Sequence, residues 1–346
     1  MTDRVRVALV GCGRIAQVAH LPALEKANGI ELVAVCDPSE HVALAVAARY
    51  GIDAVHIEAK EVFADPGVEA VLIAAPDRFH FDLVEDALEA GKHVLIEKPI
   101  ASTVEQAARL VEMVAAAGVT LQVGSMKRHD PGLQFTRRFV REKVGEVRSF
   151  NAWYRIGSLR PGIEATLFPR TFDDPAARKV EAEFKSDRER YLLATHGSHV
   201  FDTVRYLLGE VRSVTATHRG FGRDHVWNLL VTMASGAIGT ATITVDVPGD
   251  GAEGIQVFGS LGHSTTHTHF PFFRRASDVL AYSSEDGLTV SPVPDDTDAY
   301  ERQAEAFASA VRGEASPDPD AADGLAAVRL IDAVQRSVTS GSEVEL

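Results

Sequence analysis

Over the first 125 residues, short apolar runs alternate with longer stretches whose apolar positions recur at helical spacing. The runs at 5–10, 32–36, 68–74, 93–96 and 120–123 have strand length. The segment from Arg14 and those at 39–50, 79–90 and 103–117 read as helices, three of them stopped by Gly51, Gly91 and Gly118. Strand and helix alternating at this spacing predict a parallel, doubly wound α/β sheet. Near residue 126 the pattern changes. A helix at 131–143 and a strand at 146–155 lead into a mixed, charged stretch, 158–190, and then a helix-like segment at 191–208. Six strand-like runs follow at 213–219, 226–233, 237–245, 254–258, 263–268 and 279–282, several joined by glycine turns such as Ser235-Gly236 and Leu261-Gly262. Consecutive strands with short connections predict a large, mostly antiparallel sheet in an α+β domain. Helices at 300–311 and 321–338 close the chain and are expected to pack back toward the first domain. The expected domains are therefore 1–125 and 126–346, with Pro317-Asp318-Pro319 read as a loop rather than a linker.

A large sheet covered by helices on one side leaves its other face to be managed. The run 240–245, Thr-Ala-Thr-Ile-Thr-Val, carries apolar residues on one parity, and covering such a face with a second copy is the expected solution. A homodimer or homotetramer through this sheet follows. Bulk composition removes other partners. A net charge of -14 and the lack of any basic run exclude nucleic acid and disfavour anionic lipid. No apolar run is long enough to span a bilayer, and the N-terminus enters the first strand without a signal-peptide core. Two cysteines, Cys12 and Cys36, make neither a disulfide framework nor a metal spacing, so a cytoplasmic location is expected.

The strand at 5–10 stops at Gly11-Cys12-Gly13, a helix opens at Arg14 with Ala16 small, and the next strand ends on Asp37. A dinucleotide needs each part. Gly11 allows the sharp turn, Gly13 lets backbone amides approach a pyrophosphate, and Ala16 lets the helix pack on the strand. The helix N-terminus presents unpaired N–H groups to that anion. Asp37, about 20 residues beyond the turn, is placed to accept hydrogen bonds from a ribose diol. It would repel a 2′-phosphate, and Pro38-Ser39-Glu40-His41 supply no arginine, so NAD is expected rather than NADP. Ligands of such sheets sit beyond the carboxyl ends of the strands, where 11–13, Asp37, 75–77, 97–99 and 124–128 all fall. The expected cofactor contacts are Gly11, Cys12, Gly13, Arg14, Ile15, Asp37, Ala75, Pro76, Asp77, His80, Glu97, Lys98 and Met126.

Two further patterns, Ala90-Gly91-Lys92-His93-Val94-Leu95-Ile96-Glu97-Lys98-Pro99 and Thr195-His196-Gly197-Ser198-His199-Val200-Phe201-Asp202, join the glycine turn and Ala75-Pro76. Together they resemble the glucose–fructose oxidoreductase/inositol dehydrogenase (Gfo/Idh/MocA) family over essentially the whole chain. The resemblance implies a Rossmann domain, an open-faced β-sheet domain, and NAD(P)-dependent oxidation or reduction of a sugar or cyclitol hydroxyl.

A strand-end lysine ordinarily reaches solvent. Lys98 shares the expected crevice, and partial desolvation would lower its pKa and make its amine usable for proton transfer. Carried over by motif, it is the catalytic lysine, and His199 is the histidine of the family's D-x-G-x-H-x-x-D pattern. Neutral imidazole can take a carbinol proton while hydride leaves the same carbon. The aspartate of that pattern is here Thr195, which can only orient a substrate hydroxyl. Asp202 matches the trailing aspartate and reads as structural. Glu97 either restrains Lys98 or contacts the nicotinamide ribose.

Arg128 either binds a hydroxylated or carboxylated ligand through its planar fork or bridges the domains. Trp153 and Tyr154 give an aromatic floor for a sugar or belong to the sheet core. His196 is a substrate candidate. It lies three residues from His199, on one helical face, but no third metal ligand is evident. His267 and His269 would share one sheet face without an acidic partner, and Phe270–Phe273 are core, interface or pocket lining. The stretch 158–190 is expected to shape substrate choice as a lid or partner contact. The expected function is an NAD-dependent sugar, glycoside or inositol-type dehydrogenase. The alternatives are a redox-neutral glycoside-cleaving or epimerising enzyme and a non-catalytic NAD sensor.

Overall fold

The computed structural model describes residues 4–157, 170–176, 179, 187–248 and 251–346. Much of the stretch 158–190 thus lies outside the described residues. The chain divides into two compact units. The first holds residues 4–126, the described part of 170–187, and 300–328; the second holds 127–157, 188–299 and 329–346. The first unit therefore includes a middle segment and residues 300–328, which a single cut at 125/126 assigns to the second.

The first unit is built on six parallel strands: β1 (Val5–Val10), β2 (Ile30–Cys36), β3 (Ala54–His56), β4 (Ala70–Ile73), β5 (His93–Ile96) and β6 (Leu121–Val123), in the order β3-β2-β1-β4-β5-β6. Strand β1 pairs with β2 on one side and β4 on the other, so the order reverses direction at the glycine turn that follows it. Alternate residues point to opposite faces, and both faces are buried. Ala8, Val10, Val71, Ile73, Val94 and Ile96 enter one core, while Val7, Leu9, Val35, Leu72 and Leu95 enter the other. This explains why the runs look continuously apolar in sequence. The pattern anticipates five strands, and β3 and the helix Ala59–Ala64 beyond it are additions.

The second unit carries a nine-stranded sheet. Its strands are β7 (Val147–Ile156), β8 (Val211–Phe221), β9 (Asp224–Met233), β10 (Ile238–Val245), β11 (Ala252–Gly259), β12 (Gly262–Thr268), β13 (Asp278–Ser283), β14 (Leu288–Val290) and β15 (Val344–Glu345). The order is β14-β13-β12-β11-β7-β10-β9-β8-β15. All described pairs are antiparallel except β10 with β7. One face is closed by the helices Pro131–Lys143 and Ser198–Leu208 and by residues 329–338 of the final helix, through Phe139, Val140, Phe201, Val204, Ile331 and Val334.

The register corrects two expectations. In β10 the apolar parity, Ala241, Ile243 and Val245, packs into this core, and the outward parity is threonine. That run therefore gives no apolar face for a second copy. The outward parity of neighbouring strands does carry Leu230, Ile238, Phe258 and Leu280, between 37% and 63% exposed. Second, His269 lies beyond β12 and has an acidic partner, Asp278, at 3.0 Å, whereas His267 is within the strand with its ring 5.4 Å from Trp153.

Candidate functional site

In the first unit the site grows from the end of β1. Gly11 adopts φ +95°, and a Cβ there would meet the Ala74 carbonyl at 2.8 Å, so only glycine lets β1 and β4 end this close together. A Cβ on Gly13 would meet nothing within 4 Å, which leaves open space beside the amides of the turn. The Cys12 and Ser39 N–H groups donate to the two oxygens of Asp37 at 2.8 and 2.9 Å, fixing its carboxylate at the end of β2. Burial, with Asp37 next in effect, pushes the Cys36 thiol up to about 12, and the buried Cys12 thiol is raised further still. Neither cysteine is a nucleophile near neutral pH. Arg14 and Ile15 open the helix. These features fit an NAD pyrophosphate and a ribose diol, with no cation at residues 38–40 to favour a 2′-phosphate.

That helix contains a π-turn, Ala16–His20, all of whose residues are buried. The wider turn carries two polar side chains the sequence reading passed over. Gln17 donates to the Cys12 carbonyl at 2.7 Å and exchanges two hydrogen bonds with the Phe172 backbone, at 2.8 Å each. His20 places Nε2 2.7 Å from Glu97 Oε1. Their detectable signal was polarity within a helical stretch otherwise made of alanine, valine and leucine.

Beyond β4, Ala75 and Pro76 lead into the turn Asp77–Phe79, and His80 opens the next helix. The His80 ring faces two carbonyl oxygens, Pro99 at 2.6 Å from Nδ1 and Ala75 at 2.8 Å from Nε2. A carbonyl only accepts, so both contacts are hydrogen bonds only in the doubly protonated ring. Glu97 and Lys98 follow β5, and the Lys98–Pro99 peptide is cis. Burial pushes the Glu97 carboxyl up, but the His20 hydrogen bond and the charges of His20, Lys98 and His80 outweigh it, so the group lies below its ordinary value. Glu97 Oε2 accepts the Lys98 backbone N–H at 3.2 Å. Met126, 2% exposed, lies just past β6.

In the second unit the register aligns His218, Trp227, Ile243, Tyr154 and Glu253 in one row on the helix-covered face. Tyr154 is the centre of the candidate cluster. Its hydroxyl is 3.2 Å from His196 Nδ1, and its ring stacks on His199 with centroids 5.7 Å apart and planes 11° from parallel. Burial, with Glu253 second, raises the phenol well above its ordinary value, so it keeps its proton. A second π-turn, Leu193–Gly197, carries Thr195 and His196, and His199 sits in the first turn of the helix that follows.

Lys127 and Glu253 form a buried ion pair beside this cluster, with the Lys127 amine 5.0 Å above the Tyr154 ring. Burial lowers the Lys127 amine and raises the Glu253 carboxyl, and each partner only partly offsets the other's shift. Glu253 was not foreseen. Its signal was an acid on the same strand parity as Ile255 and Val257, the buried one.

Two candidates do not join this cluster. Trp153 points to the opposite face, in the row of Gly254 and His267, so it cannot share a floor with Tyr154. Arg128, 5% exposed, donates Nε and Nη2 to Asp202 at 2.7–3.1 Å. Its fork is thus engaged by an internal carboxylate of the same unit, a salt bridge within the unit rather than a ligand contact. Among the described residues, no group of three or more His, Cys, Asp or Glu side chains offers a metal site. No described helix is long and apolar enough to cross a membrane.

Comparison with known proteins agrees with both halves of this picture. Residues 5–125 match the model of the GFO_IDH_MocA oxidoreductase family, NAD-binding Rossmann fold, and residues 136–265 match the GFO/IDH/MocA C-terminal domain. The inositol 2-dehydrogenase of Rhizobium meliloti (strain 1021) is 30% identical over 99% of both chains. The NADP(+)-dependent D-xylose 1-dehydrogenase 2 of Haloferax volcanii is 28% identical over 98% of both. A structure of levoglucosan dehydrogenase with NADH and levoglucosan superposes with a TM-score of 0.81 over 99% of both chains, at 20% identity.

Proposed function

The chain belongs to the Gfo/Idh/MocA family of NAD-binding oxidoreductases, and on that premise we propose that it oxidises a secondary or anomeric hydroxyl of a sugar, glycoside or cyclitol, with Lys98 and His199 handling the proton. The observation that carries this reading is Lys98 itself. It follows β5 directly, its backbone held by a buried Glu97, on the strand-end rim that also bears the glycine turn and Asp37. NAD, when bound there, supplies the hydride acceptor. The amides of 11–15 hold its pyrophosphate, and Asp37 holds its adenosine ribose and disfavours a 2′-phosphate.

The protein's own groups then manage alignment and one proton. Lys98 offers an amine that orients the hydroxyl and takes its proton. His199 offers an imidazole whose plane is fixed by the Tyr154 ring. Tyr154, held as a phenol, fixes His196 through its hydroxyl. Thr195 orients a neighbouring hydroxyl but cannot serve as a base. The names of the related inositol and xylose dehydrogenases support a polyhydroxylated substrate.

Replacing Lys98 with Met tests the reading. Oxidation across a panel of free sugars, glycosides, inositols and sugar acids should fall at least ~100-fold while NADH binding, read by fluorescence, persists. A folded variant with near-normal turnover would refute the role. Thr195 in place of an acid favours a second reading, in which NAD stays bound and transient oxidation epimerises or cleaves a glycoside. Product from a glycoside without accumulating NADH separates the two. We further infer a homo-oligomer through the outward face of the nine-stranded sheet, supported by its exposed Leu230, Ile238 and Leu280.

A further inference from the structure

We propose that His20 is a positioning residue for Lys98: by donating to Glu97 it holds that carboxylate on the Lys98 main chain and away from the Lys98 amine. The inference deepens the dehydrogenase reading and rests on it for the role of Lys98. Its geometry belongs to the first unit alone.

An acid next to a lysine in sequence is within reach of its amine, and a carboxylate paired with that amine stabilises the ammonium form. Such a lysine would be a poor proton acceptor. Glu97 is instead occupied elsewhere. Oε1 lies 2.7 Å from His20 Nε2, and Oε2 accepts the Lys98 N–H at 3.2 Å. The His20 and Glu97 side chains are only 3% and 10% exposed, so water cannot readily replace either bond.

The imidazole is itself held. It projects from the π-turn Ala16–His20, and the Tyr300 ring meets it edge-on at 5.1 Å and 83°. The titratable groups facing this pair are therefore Tyr300 on the His20 side and Lys98 and His80 on the Glu97 side. His80 is committed to the Pro99 and Ala75 carbonyls and adds no competing acceptor. Removing the His20 donor leaves a buried carboxylate that lacks one bond and whose nearest cation is Lys98. The carboxylate then turns to the amine, and a higher pH is needed to deprotonate Lys98.

The test compares His20→Met, which fills the space without a donor, with His20→Gln, whose amide can donate to Glu97. The rate of Lys98 acetylation against pH, followed by peptide mass spectrometry on the full chain without substrate, reports the amine directly. In His20→Met the labelling titration should move up by about half a unit or more. The low-pH limb of kcat should move with it, and kcat at pH 7.5 should fall about tenfold with little change in KM. His20→Gln should return both profiles to the wild type. If His20→Met does not fold, His20→Asn, whose shorter amide falls short of Glu97, replaces it.

An unchanged titration in the donor-free variant overturns the proposal, as does a His20→Gln profile displaced as far as that of Met. The labelling readout also separates this inference from the reading it rests on. A shifted titration in a protein that oxidises no sugar or cyclitol would sustain the His20 linkage and reject the dehydrogenase.

Discussion

Arg128 and Asp202 show how a residue's chemistry is set by its neighbours rather than its type. An arginine just past β6, near the expected cofactor crevice, is an attractive ligand contact. In the fold it is one half of a buried, fork-to-carboxylate pair that joins the turn Met126–His129 to the helix Ser198–Leu208. Such a pair costs a great deal to break from one side, because the remaining charge stays buried and unpaired. Arg128→Met should therefore lower stability by ~3–5 kcal/mol in urea unfolding. A loss below about 1 kcal/mol, combined with a large rise in KM, would return Arg128 to the substrate site. Trp153 and Tyr154 make the complementary point. Neighbours in sequence, they sit on opposite faces of β7, and only Tyr154 touches the two histidines.

At the scale of elements, the strands missed by patterning share one property. Strand β3 is the edge of the first sheet, and β14 and β15 are the two edges of the second. Each has two or three residues, is hydrogen-bonded on one side, and buries too little to show a period. The two π-turns were equally invisible. Both carry proposed site residues, but one extra residue per turn leaves no mark in a 3.6-residue pattern.

Caps were more legible. Asp130 precedes Pro131 and caps its helix by accepting from Leu133 N–H at 2.9 Å, and it also accepts the Ser277 N–H from the segment before β13 at 3.0 Å. Burial raises the Asp130 carboxyl, against the pull of those bonds. Asp130→Ala should cost about 2 kcal/mol, since it removes a cap and strands a second buried donor. The urea midpoint reads this, and an unchanged midpoint would show that water substitutes at both sites.

At the scale of the whole molecule, the outward face of the nine-stranded sheet decides how copies associate. Leu230 is 63% exposed, amid threonines and asparagines hydrogen-bonded across the strands, such as Thr240 with Asn151 at 3.0 Å and Thr242 with Asn228 at 2.9 Å. Leu230→Asp should shift the mass seen by light scattering toward a monomer. A wild type already monomeric at micromolar concentration would remove the proposal.

By itself the sequence determined the parallel sheet, the glycine turn, Asp37 and the Glu97-Lys98-Pro99 strand end. Each is a local pattern whose physics acts over a few residues: continuous apolar burial, a positive φ, an acid at a strand terminus. The two-unit membership of residues 300–328, the parallel entry of β7 beside β10, and the partners of His20, Glu97, Tyr154, Glu253 and Arg128 were decided only by tertiary structure. Those partners lie 42 to 126 residues apart in the chain, in hydrogen bonds such as Tyr154 with His196 and Lys127 with Glu253. A buried polar side chain takes its role from whichever group folding brings to it, and no short-range pattern encodes that choice.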